Sequence, residues 1–158
     1  MNSLSEHKIL NIYLVLSGIK IVVQLYKRME RTMDDIEKSF IAVEKQIATL
    51  FNKKDLNGIL KFFRDDFIGF SSTRTTMLNG LPQLKKTYLY YLAQGDKVTY
   101  SIKNVKAHLY GETALTTFLW NVEIQKGKKK INVEGRASHV FILTDKWYIV
   151  HEHYSKTH

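Results

Sequence analysis

Residues 136–155 read Arg136-Ala-Ser-His-Val-Phe-Ile-Leu-Thr144, then Asp145-Lys146, then Trp147-Tyr-Ile-Val-His-Glu-His-Tyr-Ser155. Both arms are rich in β-branched and aromatic residues, and Asp145-Lys146 has the length of a two-residue turn, so the stretch reads as the closing hairpin of a sheet. With Thr144 facing Trp147, Ile142 falls opposite Ile149, Val140 opposite His151, Ser138 opposite His153 and Arg136 opposite Ser155. These residues share one face, apolar at Trp147, Ile142 and Ile149 and polar at Arg136, Ser138, His151, His153 and Ser155. An apolar floor with a polar mouth is how a ligand pocket looks. The other face sets Leu143, Phe141, His139 and Ala137 against Tyr148, Val150, Glu152 and Tyr154, a mixture suited to a subunit contact. A three-residue turn pairing Leu143 with Trp147 is the alternative. It would put His151 and His153 beside His139 and Ala137 and separate them from Arg136.

Working outward, residues 97–108, 112–125 and 129–143 are further long strands, parted by Tyr110-Gly111-Glu112 and Lys126-Gly127-Lys128, which makes a meander with 146–155. Ahead of it, Thr32-Met-Asp-Asp35 has capping-box spacing, and Ile36, Phe40, Val43, Ile47, Leu50 and Phe51 form one apolar helical stripe. Asp55 is placed to cap a short second helix carrying Leu56, Leu60 and Phe63. Residues 65–70 read as a short strand and 71–76 as a polar loop. A third helix opens near Pro82 and ends before Gly95, with Leu84, Tyr88, Tyr91 and Leu92 inward. Three helices cannot cover both faces of so long a sheet. The expected fold is α+β, a cone-shaped barrel with three helices packed on the concave face of a strongly curved, mainly antiparallel sheet.

Composition narrows the function classes. At 158 residues with 44% hydrophobic content the chain is one domain with an extension, 1–32 ahead of a domain at 33–158. The absence of Cys removes disulfides, thiolate metal sites and a cysteine nucleophile, and makes the cytoplasm the default compartment. A formal charge of +9 raises the question of nucleic acid or anionic lipid, but the basic residues are scattered. The one dense run, Lys126-Gly-Lys-Lys-Lys130, sits at a turn and reads as edge protection. No nucleic-acid module, phosphate loop or nucleophile elbow is present, so nucleic acid is not an expected partner and no cofactor is called for.

Residues 9–26 are apolar at 13 of 18 positions. On the insertion scale their eleven Leu, Ile and Val residues contribute roughly −3 to −7 kcal/mol against about +2.5 to +3.5 for Lys20, so the segment is marginal as a membrane span. An extra helix, a membrane contact by residues 1–32 and upstream sequence before Met29 or Met33 stay open as readings.

The order of elements, with Gly80-Leu-Pro-Gln-Leu-Lys-Lys86, Gly135-Arg-Ala-Ser138 and Trp147-Tyr-Ile-Val-His-Glu-His-Tyr-Ser155, resembles the SnoaL-like branch of the nuclear-transport-factor-2-like superfamily over residues 33–156. The resemblance implies a homodimeric cone with a pocket between helices and sheet. The superfamily holds polyketide cyclases, ketosteroid isomerases, dehydratases and the association domain of calmodulin-dependent kinase, so the fold does not name a reaction. The isomerase set of pocket Asp, Tyr and second acid is not identified in this chain.

Candidate chemistry centres on His153, Ser138 across from it, and Arg136. An imidazole exchanges protons near neutrality and a guanidinium holds a carboxylate or enolate through two hydrogen bonds. His151, Trp120, Ser155 and Trp147 are the expected ligand-binding neighbours. His139, on the other face in the favoured register, leaves no metal-ligand set. The expected function is a small-molecule pocket for an organic anion or carbonyl compound, with isomerase, cyclase or lyase chemistry in view. A non-catalytic association module and a membrane-associated partner protein are the alternatives, with a homodimer formed through the sheet's outer face.

Overall fold

In a computed structural model, residues 3–157 are described, with side chains for 19–24 and 32–157. Helix α1 runs Ser3–Asn52, followed by α2 (Leu56–Leu60), β1 (Phe63–Phe70), β2 (Leu78–Asn79), α3 (Gly80–Leu92), β3 (Lys97–Tyr110), β4 (Thr113–Lys126), β5 (Lys129–Leu143) and β6 (Trp147–Lys156). The capping-box spacing at Thr32 does not start a helix, because the residues before it continue α1 without a proline or another breaker. Contacts divide the chain into two compact units, Met1–Ile36 and Glu37–His158. In the first, Ile19, Ile21, Val22 and Val23 are exposed. Most of the apolar stretch 9–26 has side chains outside the described residues. Among the described residues, no helix is long and apolar enough to cross a membrane.

The second unit is built on a six-stranded sheet ordered β2-β1-β6-β5-β4-β3, antiparallel throughout except where β1 runs parallel to β6. Its concave face carries Ala114, Phe118 and Trp120 from β4, Ala137, His139 and Phe141 from β5, and Phe63 and Phe67 from β1, all buried. The stripe of α1 from Phe40 to Phe51 packs here. Phe40 lies 5.0 Å from Phe141 and edge-on to Trp147 at 4.9 Å, and Phe51 meets Tyr88 and Tyr100. Asn52 ends α1 against β3, donating through Nδ2 to the Tyr100 carbonyl and accepting the Tyr100 amide at Oδ1, both at 2.8 Å. That pairing satisfies the outward-facing backbone groups of Tyr100 on an edge strand. Asp55 caps α2 as its position foretold, accepting the Gly58 amide at 2.8 Å.

The closing hairpin combines the two registers its sequence allows. Leu143 pairs with Trp147 and Phe141 with Ile149, as a three-residue turn requires, yet Val140 pairs with His151, Ser138 with His153 and Arg136 with Ser155. The difference is one extra residue, Val150, left over as a bulge between Ile149 and His151. Because side chains alternate along a strand, that residue inverts the facing of everything beyond it. Ile149 and Glu152 are both buried on the concave side although they are three apart. Arg136, Ser138, His151, His153 and Ser155 therefore point to the outer face, which corrects the facing read from strict alternation.

Gly135 accounts for how closely β5 and β6 approach Trp120. A Cβ there would collide with the Ser155 carbonyl oxygen and come within 2.6 Å of the Trp120 ring. Gly135→Ala is expected to cost about 3 kcal/mol, the upper end for overpacking, because backbone must move. Urea denaturation measures it; a loss below half a kilocalorie would show that the strand yields freely.

Candidate functional site

Between α1, α3 and the concave face lies a cavity of about 210 Å³, walled by Ile47, Phe51, Leu84, Tyr88, Trp120 and Val122 among others, with Lys156 and the Ser71–Thr73 segment among its polar lining. Tyr91 holds that segment in place, its hydroxyl 2.6 Å from Ser71 Oγ and 3.3 Å from Thr73 Oγ1. The acid in this wall is Glu152, 3% exposed. Gly69 is its neighbour on β1, and a Cβ at Gly69 would stand 2.8 Å from Glu152 Cγ, so the glycine makes room for the acid.

Behind Glu152 stands a buried polar chain. His139 is its register partner on β5, and His139 Nε2 lies 3.7 Å from Glu152 Oε2, within electrostatic reach but beyond a hydrogen bond. On its other side His139 Nδ1 is 3.0 Å from Glu44 Oε1, and Thr116 donates to the same oxygen at 2.5 Å. Glu44 occupies the centre of the apolar stripe of α1, four residues after Phe40 and three before Ile47. Phe118 and Phe63 set their rings edge-on to His139 at 5.2 and 6.1 Å and keep the group dry.

Electrostatics follow from this enclosure. Burial pushes the Glu152 carboxyl up to about 7, with His139 opposing the rise and Glu44 adding to it. Burial works against charge on His139 as well, but the charge and hydrogen bond of Glu44, helped by Glu152, carry the imidazole above its ordinary pKa. Tyr100 and Tyr154, whose hydroxyls are 3.1 Å apart at the cavity wall, are pushed up by burial and stay protonated. A carboxyl that gains and loses its proton near neutrality, in an apolar cavity, is equipped for acid–base chemistry on a bound molecule.

The residues singled out from the sequence fall into two groups. Trp120 lines the cavity. Trp147 faces the same side but packs on Phe40 and is not part of the cavity lining. Arg136, Ser138, His153 and Ser155 come together on the opposite, outer face, in an open groove with Lys106 and Thr117. There Arg136 Nε donates to Ser155 Oγ at 3.4 Å, and the His153 ring lies 5.7 Å from Phe70. His151 is half-buried beside Phe70, its pKa lowered by burial and then by His153 and His139. Glu152 and Tyr154, read from alternation as outer-face contacts, face the cavity. Two signals pointed to the buried group: His139 falls opposite Glu152 in the register, and Glu44 interrupts an apolar stripe.

A family model described as SnoaL-like domain matches residues 41–157. No curated protein matches the chain. Among solved structures, an NTF2-like family protein from Streptomyces avermitilis, provisionally assigned as a dehydratase, is similar with a TM-score of 0.69 at 16% identity, over 79% of this chain and 98% of that one. The CaMKII hub of S. rosetta is similar with a TM-score of 0.68 at 17% identity, over 77% and 96%. The beta subunit of benzoate 1,2-dioxygenase from Burkholderia mallei is similar with a TM-score of 0.62 at 14% identity, over 75% and 88%. At these identities the likeness is one of fold.

The buried acid makes stability depend on pH. A carboxyl raised from 4.5 to about 7 binds more protons folded than unfolded, so stability falls as pH rises across that window. His139, also raised, adds a loss of the same sign as pH climbs above 6.5. Denaturation between pH 5 and 8 should show wild-type stability dropping by about 2–3 kcal/mol and Glu152→Gln dropping clearly less. Parallel curves for the two proteins would mean that Glu152 ionises freely in the folded state.

Proposed function

We propose, from the premise that the chain belongs to the SnoaL-like domain family, that its concave cavity binds a small, largely apolar carbonyl compound and that Glu152 exchanges a proton with it. The observation that carries this reading is Glu152 itself, a buried carboxyl in an apolar wall, its Oε2 turned to His139 without a hydrogen bond and its pKa about 7. As carboxylate it takes a proton from the carbon beside the carbonyl, leaving an enolate and a carboxylic acid; returning that proton to the same or another carbon completes an isomerisation or opens a cyclisation or elimination. His139, paired with Glu44, lies beside the acid and offsets part of its charge when it is a carboxylate.

A thermal-shift screen of apolar ketones and lactones on the full chain tests the binding, since a ligand at a hundred times its dissociation constant adds about 2.7 kcal/mol. For each hit, exchange of the proton beside the carbonyl with D₂O is followed by NMR. Glu152→Gln should slow enzyme-dependent exchange by about 10²–10⁴-fold while ligand still raises the midpoint, and His153→Ala should leave both unchanged. Exchange that survives in Glu152→Gln but disappears in His153→Ala would return the chemistry to the outer groove.

For the outer face, we propose contact with a second copy of the chain. The support is a run of exposed apolar side chains, Ile68, Phe70 and Leu119, on the same face as Arg136, His151 and His153. Sedimentation should give a dimer for wild type and a folded monomer for Leu119→Asp. A monomer at every wild-type concentration would refute it.

A further inference from the structure

The cavity wall holds a second polar feature beside the acid. Trp120 is 4% exposed, and its Nε1–H is buried without an acceptor among the described residues. Such a donor is costly to bury unless something accepts from it. Close by, Tyr154 lies 6.1 Å from the Trp120 ring, and its hydroxyl is 3.1 Å from that of Tyr100. One of the two hydroxyls donates to the other. The remaining O–H hydrogen has no acceptor among the described residues, so this part of the aromatic wall carries an indole N–H and a phenol O–H that are both free to donate.

Resting on the reading of the cavity as a ligand site, we infer that Trp120 Nε1–H and the free hydroxyl of the Tyr100–Tyr154 pair form a subsite for an uncharged oxygen acceptor, and that the cavity selects a neutral ketone or lactone over both its hydrocarbon and its carboxylate counterparts. The donors define the sign of the subsite. A hydrocarbon leaves both unpaired, whereas a carbonyl oxygen has two lone pairs and accepts from both. A carboxylate would meet the same donors but would also be buried beside Glu152, with Glu44 behind it. His139 is already paired with Glu44, and Lys156, the cation of the lining, is exposed. Gly135 belongs to the same device, since the indole occupies the space where its Cβ would stand.

Three matched two-ring probes test the inference on the full chain: indane, 1-indanone and indane-1-carboxylate. Calorimetry is run at pH 8, where Glu152 is mostly ionised and is not a competing donor. 1-Indanone should bind about tenfold tighter than indane, the gain of one well-made hydrogen bond, and the carboxylate should be the weakest of the three. In ¹⁵N-labelled protein the chain's two indole N–H signals are told apart with Trp147→Phe, and 1-indanone should move the Trp120 proton downfield while indane does not. Trp120→Phe should bring 1-indanone and indane to equal affinity. Equal binding of the two by wild type, or tightest binding of the carboxylate, overturns the subsite while leaving the cavity reading in place. No binding of any probe, indane included, overturns both.

Discussion

Side chains along a β-strand alternate, so a single unpaired residue decides which chemistry faces the core. In β6 that residue is Val150. It separates Ile149, which pairs with Phe141 and seals the core near the turn, from Glu152, which pairs with His139 farther along. Without the bulge, burying Ile149 would turn Glu152 to the outer face and point His151 and His153 at the helices. With it, apolar packing at one end of the hairpin and a buried acid at the other coexist on one strand. The cavity, the buried polar chain and the basic outer groove all follow from that choice.

The polar chain itself links three elements distant in sequence. Glu44 comes from α1, Thr116 from β4 and His139 from β5, and Glu152 on β6 is the member that reaches the cavity. Buried charges survive only when paired, and the Glu44–His139 pair meets that condition with Thr116 as a further donor. Glu152 is less completely satisfied. At 3.7 Å from His139 it gains some attraction but no hydrogen bond, and it responds by holding its proton to about neutral pH. An acid fully paired by His139 would be a structural group; one left slightly apart stays available to a bound molecule.

The two faces of the sheet thus carry opposite characters. Inside, aromatic rings, one buried carboxyl and an indole N–H without an acceptor among the described residues surround the cavity. Outside, Arg136, Lys106 and two histidines stand among exposed Phe70, Ile68 and Leu119. The fold likeness to a CaMKII hub and to a dioxygenase beta subunit shows one framework shared by proteins of different printed description.

Much of the architecture was legible in the sequence. The three-and-four spacing of Phe40, Val43, Ile47 and Phe51, the cap at Asp55, the turns at Gly111 and Gly127 and the β-rich final strands identify the elements, because local propensity and burial agree along each of them. The expected pairing of Ser138 with His153 and of Arg136 with Ser155 is met, although the turn holds three residues rather than two, because the bulge at Val150 cancels the offset. Alternation could not reveal the bulge at Val150, whose presence depends on Phe40, Phe141 and Trp147 fixing the turn end while His139 and Glu44 fix the far end. The amino-acid sequence by itself determined the fold class, its family and the four long strands, while Phe63, read as part of the second helix, opens β1, and the short β2 at Leu78–Asn79 went unread. Only the tertiary structure decided which strand residues face the cavity, because a one-residue offset costs little within a strand and is settled by packing and charge pairing between elements far apart in the chain.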